Sequence, residues 1–367
     1  AQRTKEWYEY RHSLITASNA YKIFDSASSQ NQLIFEKCSP LPTTIETSPK
    51  SSFPNETTND NIPIPTVNVT TPMHWGQKYE PVSTMYYEMI HNTIVGEFGC
   101  IRHLKHNFLG ASPDGIVDDP GSDKYGQMLE IKNIVNRDIT GIPLKAYWVQ
   151  MQLQLEVCDL DECDFLETRF KEYVDKTEFL EDCGDDNYFT KTCSGKWKGI
   201  LLYFIDKSGV PVYEYKPFQM DKEEYDNTWE PQQMEKHSNQ GHVFMWASYW
   251  WLEEVSCVIV ERNRIWFSLI IEQISRFWNT ILTERETGYS HRAPVKRKPK
   301  DDGLSQCVIT IDGTLIASTT DTNSQNISCS SQQNTIDNYL SRSPDNVIRI
   351  RTRSFEENNK LPDSEMK

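Results

Sequence analysis

The stretch from Leu109 to Asn133 constrains this chain more than any other, because it sets two β-forming runs around a turn-rich gap. Phe108–Val117 and Met128–Val135 are rich in Leu, Ile and Val and predict short strands, with Gly121, Ser122 and Asp123 in the turn between them. Side chains alternate faces along a strand, so Glu130 and Lys132 share one face and Ile131 points to the other. Asp114 stands upstream in a Ser-Pro-Asp-Gly turn. If the two strands pair, it meets that face near the turn end.

Two carboxylates and a backbone carbonyl at one spot suit Mg²⁺ or Mn²⁺, hard cations that prefer oxygen ligands. A lysine beside them can hold or help deprotonate an attacking water, and a cation there stabilises charge building on a phosphate. The same residues also fit a plain hairpin with a surface Glu–Lys pair, and E-x-K by itself is too short to choose. The rest of the chain has to decide.

With 367 residues, 11% of them aromatic, there is material for one large domain with appendages. No apolar run reaches membrane-spanning length, and the N-terminal AQRTKEWYEY does not read as a signal peptide. The 9 cysteines, an odd number at irregular spacing, fit reduced intracellular thiols and make no zinc or iron–sulfur pattern. A net charge of −15 argues against a protein that wraps DNA nonspecifically. Much of that charge lies in Glu156–Asp186, which leaves room for a local positive or metal-filled channel.

Arg3–Asp25 predicts a helix, a break near Ile15–Thr16, and a second helix capped by Thr16 or Ser18. A helix N-terminus with a free hydroxyl and the Arg11 guanidinium nearby makes an anion pocket. Residues 39–72, rich in Thr, Ser, Pro and Asn, predict a flexible insertion. His74–His91 returns to helical spacing, with Trp75, Tyr79, Val82 and Tyr86 on one face. Pro81 predicts that this helix starts near Glu80 or kinks there.

Ile142–Val157 reads as a helix with Gln150 and Gln154 one turn apart and Gln152 on another face. Glutamines in so apolar a helix need buried partners, structural ones or a ligand phosphate. Cys163–Phe170, Trp197–Ile205 and Val210–Phe218 predict strands that extend the sheet. Arg264–Leu282 predicts an amphipathic helix, and the folded domain ends near Gly288.

Five separated motifs then agree in order: RHSLITAS (Arg11–Ser18), WGQKYE (Trp75–Glu80), SPDG (Ser112–Gly115), LEIK (Leu129–Lys132) and AYWVQMQ (Ala146–Gln152). Together they resemble the lambda-exonuclease-like, YqaJ-type viral recombinase nucleases of the PD-(D/E)xK superfamily. The resemblance covers residues 1–288 apart from the insertion, and Val157–Phe170 looks like the versions carried by large DNA viruses. It implies an α/β fold, a mixed sheet flanked by helices.

The implied activity is a Mg²⁺-dependent 5′→3′ exonuclease, with Mn²⁺ as the alternative ion. Its substrate would be 5′-phosphorylated double-stranded DNA ends in viral recombination or repair. By the same resemblance, Asp114 and Glu130 ligate the metal with the Ile131 carbonyl, Glu80 serves a second metal or its waters, and Lys132 orients the nucleophilic water. Arg11, Ser18, Ser112 and Gln150 match the family's pocket for the 5′-phosphate. A single-strand annealing protein is the implied partner, and the family includes ring-shaped homo-oligomers. The implied place is the host nucleus or a viral replication compartment. A structure-specific endonuclease or nickase, and an inactive DNA-end or clamp adaptor, are the competing readings.

Residues 289–367 read as a polar, disordered tail. His291–Lys300 (HRAPVKRKPK) resembles a nuclear localisation signal. QNTIDNYL resembles the peptide by which replication proteins bind a sliding clamp: Gln333, Ile336 and Tyr339 are in place, and Leu340 stands where a second aromatic is usual. On one helical turn Ile336, Tyr339 and Leu340 share a face that can plug an apolar pocket.

Overall fold

The computed structural model describes residues 2–41, 67–183, 189–294 and 350–352. Strands within it are β1 (Ile15–Thr16), β2 (Val95–Gly96), β3 (Ile101–Arg102), β4 (Leu109–Ala111), β5 (Gly115–Val117), β6 (Met128–Asn133), β7 (Glu162–Glu172), β8 (Lys198–Ile205), β9 (Pro211–Tyr215), β10 (Val243–Glu261) and β11 (Ile350–Thr352). The main sheet runs β2-β5-β6-β7-β10-β8-β9, with β11 beside β10, and a small sheet is ordered β1-β4-β3. β6 and β7 are parallel; β5 with β6, and β10 with both β7 and β8, are antiparallel. This is the mixed sheet flanked by helices that the motifs imply.

The helices that matter for the site are α1 (Lys5–His12), α2 (Ala17–Ala20), α3 (Ala27–Cys38), α4 (Pro72–His91), α5 (Lys145–Cys158) and, closing the fold, α6 (Arg264–Thr287). α5 is the crossover that a parallel β6–β7 pair requires. Its Val149, Leu153 and Val157 pack with Met128, Phe165 and Val258 of the sheet and Ile270 and Ile274 of α6. The other face of β6 carries Leu129 and Ile131, which meet Val117, Leu166 and Tyr87 of α4. Alternation along one strand thus divides two cores, and Glu130 lies between Leu129 and Ile131 on the α5 side.

Several expectations hold and several are corrected. Ile15–Thr16 is the break between α1 and α2, and Thr16 caps α2. Phe108–Val117 is not one strand: it divides into β4 and β5, which belong to different sheets, with Ser112–Asp114 at the crossing. Gly115 pairs with Leu129 and Ile116 with Met128, so Asp114 sits at the end of the hairpin away from its turn, not near it.

α4 begins at Pro72 and runs through Pro81 to His91, so it does not start near Glu80. Asn133 and Tyr215 donate to the carbonyls of Gly76 and Lys78, on either side of the Gln77 carbonyl that Pro81 leaves without its helical donor. β10, to which the sequence reading assigned no element, spans Val243–Glu261 and joins the two halves of the sheet. Its pairing slips between Phe244 and Trp246 and again between Leu252 and Glu254, which breaks the alternation that marks a strand in sequence.

The domain continues past Gly288: Tyr289 packs edge-on against Phe35, and Arg292 pairs with Glu284. In the tail, Ile350–Thr352 pairs antiparallel with Val258–Val260, a departure from the expected absence of regular structure there. Most of the 39–72 insertion, most of the basic run, and the Gln333, Ile336, Tyr339 and Leu340 motif lie outside the described residues.

Candidate active site

The parallel β6–β7 pair and the crossing at Ser112–Asp114 bring the candidate residues to one place. Glu130 is fully buried, a costly position for a carboxylate unless it is hydrogen-bonded. The Lys132 ammonium and the Gln150 amide both donate to its Oε1, the latter at 2.7 Å, and the Gln154 amide donates to Oε2 at 2.7 Å. Asp114 Oδ2 accepts the backbone N–H of Ile131 at 2.7 Å. Asp114, Glu130 and Lys132 are therefore gathered as the spacing predicts.

Electrostatics follow from this crowding. Burial, then the neighbouring Glu130 carboxylate, pushes Asp114 well above the usual aspartate range, against the pull of Lys132 and the Ile131 amide. For Lys132, burial works downward, but Glu130 and Asp114 outweigh it and hold the ammonium above the ordinary lysine range. Tyr147 of α5 offers its ring face to that ammonium at 5.0 Å. Lys132 is a fixed cation with its side chain 22% exposed, so solvent can reach it.

Arg11, Ser18 and Ser112 also come together. One Arg11 nitrogen donates to Ser112 Oγ at 3.1 Å and the other to Ser18 Oγ at 2.9 Å, while the guanidinium lies 4.2 Å from the centre of the Trp7 ring. Ser18 is exposed and Arg11 half-buried, which opens the cluster to solvent on one side. Behind it the buried Lys37 donates to the Arg11 carbonyl at 2.7 Å, and burial, then Arg11, lowers its pKa to about 8. Lys37 carried no signal in the sequence, where it is one more lysine near the end of a helix. Gln150, expected in this pocket, holds Glu130 instead.

Glu80 is carried by α4. Its helix covers the opposite face of β6, and its Oε2 is paired with Arg3 at 2.8 Å, although it still contributes to raising Asp114. Among the described residues, no three His, Cys, Asp or Glu side chains form a metal-binding group. The donor set that fits a hard divalent cation is thus Asp114, Glu130 and the Ile131 carbonyl. Two carboxylates pressed together in a buried place, with burial and then Glu130 raising Asp114, is the electrostatic condition a bound cation relieves.

Residues 6–161, which include the carboxylates, Lys132 and the Arg11 cluster, match the YqaJ-like viral recombinase domain. An uncharacterized protein of Acanthamoeba polyphaga mimivirus is 27% identical over 314 residues, covering 78% of this chain. The chain spans about half of that protein, 53% of its length.

Among solved structures, the alkaline exonuclease of Laribacter hongkongensis is similar at 19% identity, over 77% of this chain and 95% of that one, with a TM-score of 0.41. The same protein in complex with dAMP gives 19% identity over the same shares and a TM-score of 0.40. The match ends at residue 161, so β7, β8, β9, β10 and α6 of this fold lie beyond it.

Proposed function

We propose that this chain is a divalent-metal-dependent DNA exonuclease that resects 5′-phosphorylated duplex ends in recombination or end repair. It would leave 3′ single strands for an annealing protein. One observation carries the reading: Asp114, Glu130 and Lys132 converge beside a guanidinium–hydroxyl cluster, with Ser112 two residues from Asp114.

A phosphodiester hydrolase needs anchored carboxylates, a cation near the attacking water and a grip on the anionic end. When bound, Mg²⁺ or Mn²⁺ would lower the pKa of a water and offset charge building on the phosphate. Asp114, Glu130 and the Ile131 carbonyl would hold it. Lys132, fixed against Glu130, orients the nucleophilic water and adds positive charge where negative charge develops. Arg11 grips the terminal phosphate by two N–H groups now shared with Ser112 and Ser18, and those hydroxyls turn to donate to the same anion.

The test is digestion of an end-labelled linear duplex, 5′-phosphorylated or 5′-hydroxyl, with and without Mg²⁺. Metal-dependent mononucleotide release from the 5′-phosphorylated strand supports the proposal. Nicking of a circle with the linear duplex intact would replace it with the endonuclease reading, and binding of ends without cleavage with the adaptor reading.

A further inference from the structure

Gln154 is 1% exposed and belongs to none of the roles above. Its Nε2 carries two hydrogens and faces two acceptors: Glu130 Oε2 at 2.7 Å and the Ser112 carbonyl at 3.4 Å. The amide nitrogen, not its oxygen, is therefore turned toward Glu130 and Ser112. The opposite atom, Oε1, is buried and has no hydrogen-bond partner among the described residues. An unpaired buried carbonyl costs stability, and an aliphatic side chain of the same size would avoid that cost.

The nitrogen ties three segments together. Glu130 is on β6, Ser112 stands at the crossing that also carries Asp114, and Gln154 is on α5. Ser112 also takes the Arg11 guanidinium on its side chain. Gln150, one turn earlier on the same helix, fixes the other Glu130 oxygen. With both oxygens held, the carboxylate has one orientation relative to Asp114.

We infer that Gln154 is a positioning residue that locks Glu130 to the Ser112–Asp114 segment, so that one amide sets the geometry of the two carboxylates toward a divalent cation. The inference rests on the metal-dependent reading above, but its first readout is not cleavage. Partners that orient a metal-binding carboxylate typically contribute about 10–100-fold in affinity or activity.

The experiment is calorimetric titration of the full chain with Mn²⁺ alone, for wild type and Gln154→Met, beside thermal melting of the metal-free proteins. Gln154→Asn, whose amide is withdrawn by one methylene, is the second variant should the first fail to fold. The expected result is a melting temperature lowered by a few degrees, since Glu130 Oε2 loses its donor, and Mn²⁺ affinity reduced about tenfold or more. In digestion assays kcat falls while the duplex concentration for half-maximal rate stays the same. Mn²⁺ affinity and kcat within about twofold of wild type overturn the inference, as does a wild-type chain that takes up no Mn²⁺. A wild-type chain that binds Mn²⁺ but cuts nothing, with binding still weakened in the variant, upholds the positioning role and removes the nuclease reading instead.

Discussion

The backbone N–H of Ile131 donates to Asp114 Oδ2 at 2.7 Å, joining the start of β5 to the middle of β6. That bond places the Asp114 carboxylate against the strand that carries Glu130 and Lys132. It also makes the pair depend on strand register, since a slip of one residue would turn Glu130 toward Tyr87 and the opposite core.

Lys132→Ala removes the cation fixed on Glu130. The variant is expected to stay folded by circular dichroism and to lose DNA cleavage, by about 10²-fold or more if the ammonium orients the water and offsets developing charge. Cleavage at the wild-type rate would take Lys132 out of the mechanism.

Arg11→Ala empties the centre of the hydroxyl cluster formed with Ser18 and Ser112. Competition between 5′-phosphorylated and 5′-hydroxyl duplexes should then show weaker discrimination, with residual cleavage of both. Equal discrimination in variant and wild type removes Arg11 from end recognition.

Asp114→Asn keeps an oxygen for the Ile131 amide and removes the repulsion from Glu130. Without metal, the variant should melt higher than wild type by a few degrees, on the order of 1 kcal/mol. Added Mn²⁺ should then raise its melting temperature less than it raises that of wild type. A lower melting temperature in the metal-free variant would contradict the repulsion.

Lys37 gives a pH signature. Its folded pKa is lowered by burial to about 8, below the ordinary 10.5, so between those values the unfolded chain binds more protons than the folded one. Its contribution to stability therefore rises from about pH 8 toward 10.5. The buried Lys216, also lowered to about 8, acts in the same direction and window. Lys37→Met should flatten part of that rise in denaturant melts; an unchanged pH slope would mean that the amine is not burdened by burial.

Gly115, directly after Asp114, permits the close approach of β2: an added Cβ would lie 2.1 Å from Val95 Cγ1. Gly115→Ala should destabilise the fold by about 1–3 kcal/mol in urea melts and displace Asp114, lowering cleavage as well. Full stability would show that β2 yields without strain.

Much of the site was legible because it is local. Glu130 and Lys132 share a face by strand geometry alone, and Gln150 and Gln154 share one by the helical turn. The Arg11, Ser18 and Ser112 cluster was legible through the ordered motifs, since nothing in their spacing brings residue 112 to residue 11. Gln154 was visible as a neighbour of Gln150 but not as the second donor to Glu130, because that role depends on how α5 settles on β6. Lys37 was not visible at all: its low pKa comes from burial behind Arg11.

The sequence by itself determined the alternation of β6, the helical faces of α4, α5 and α6, and the order of the motifs. Those are properties of neighbouring residues, and neighbouring residues are what a sequence records. Tertiary structure decided that Phe108–Val117 would serve two sheets, that Asp114 would sit away from the hairpin turn, and that Glu80 would pair with Arg3. It also decided that β10, with its two slips of register, would join the halves of the sheet. Each of these depends on contacts between residues far apart in the chain, where packing and burial, not local pattern, choose the partner.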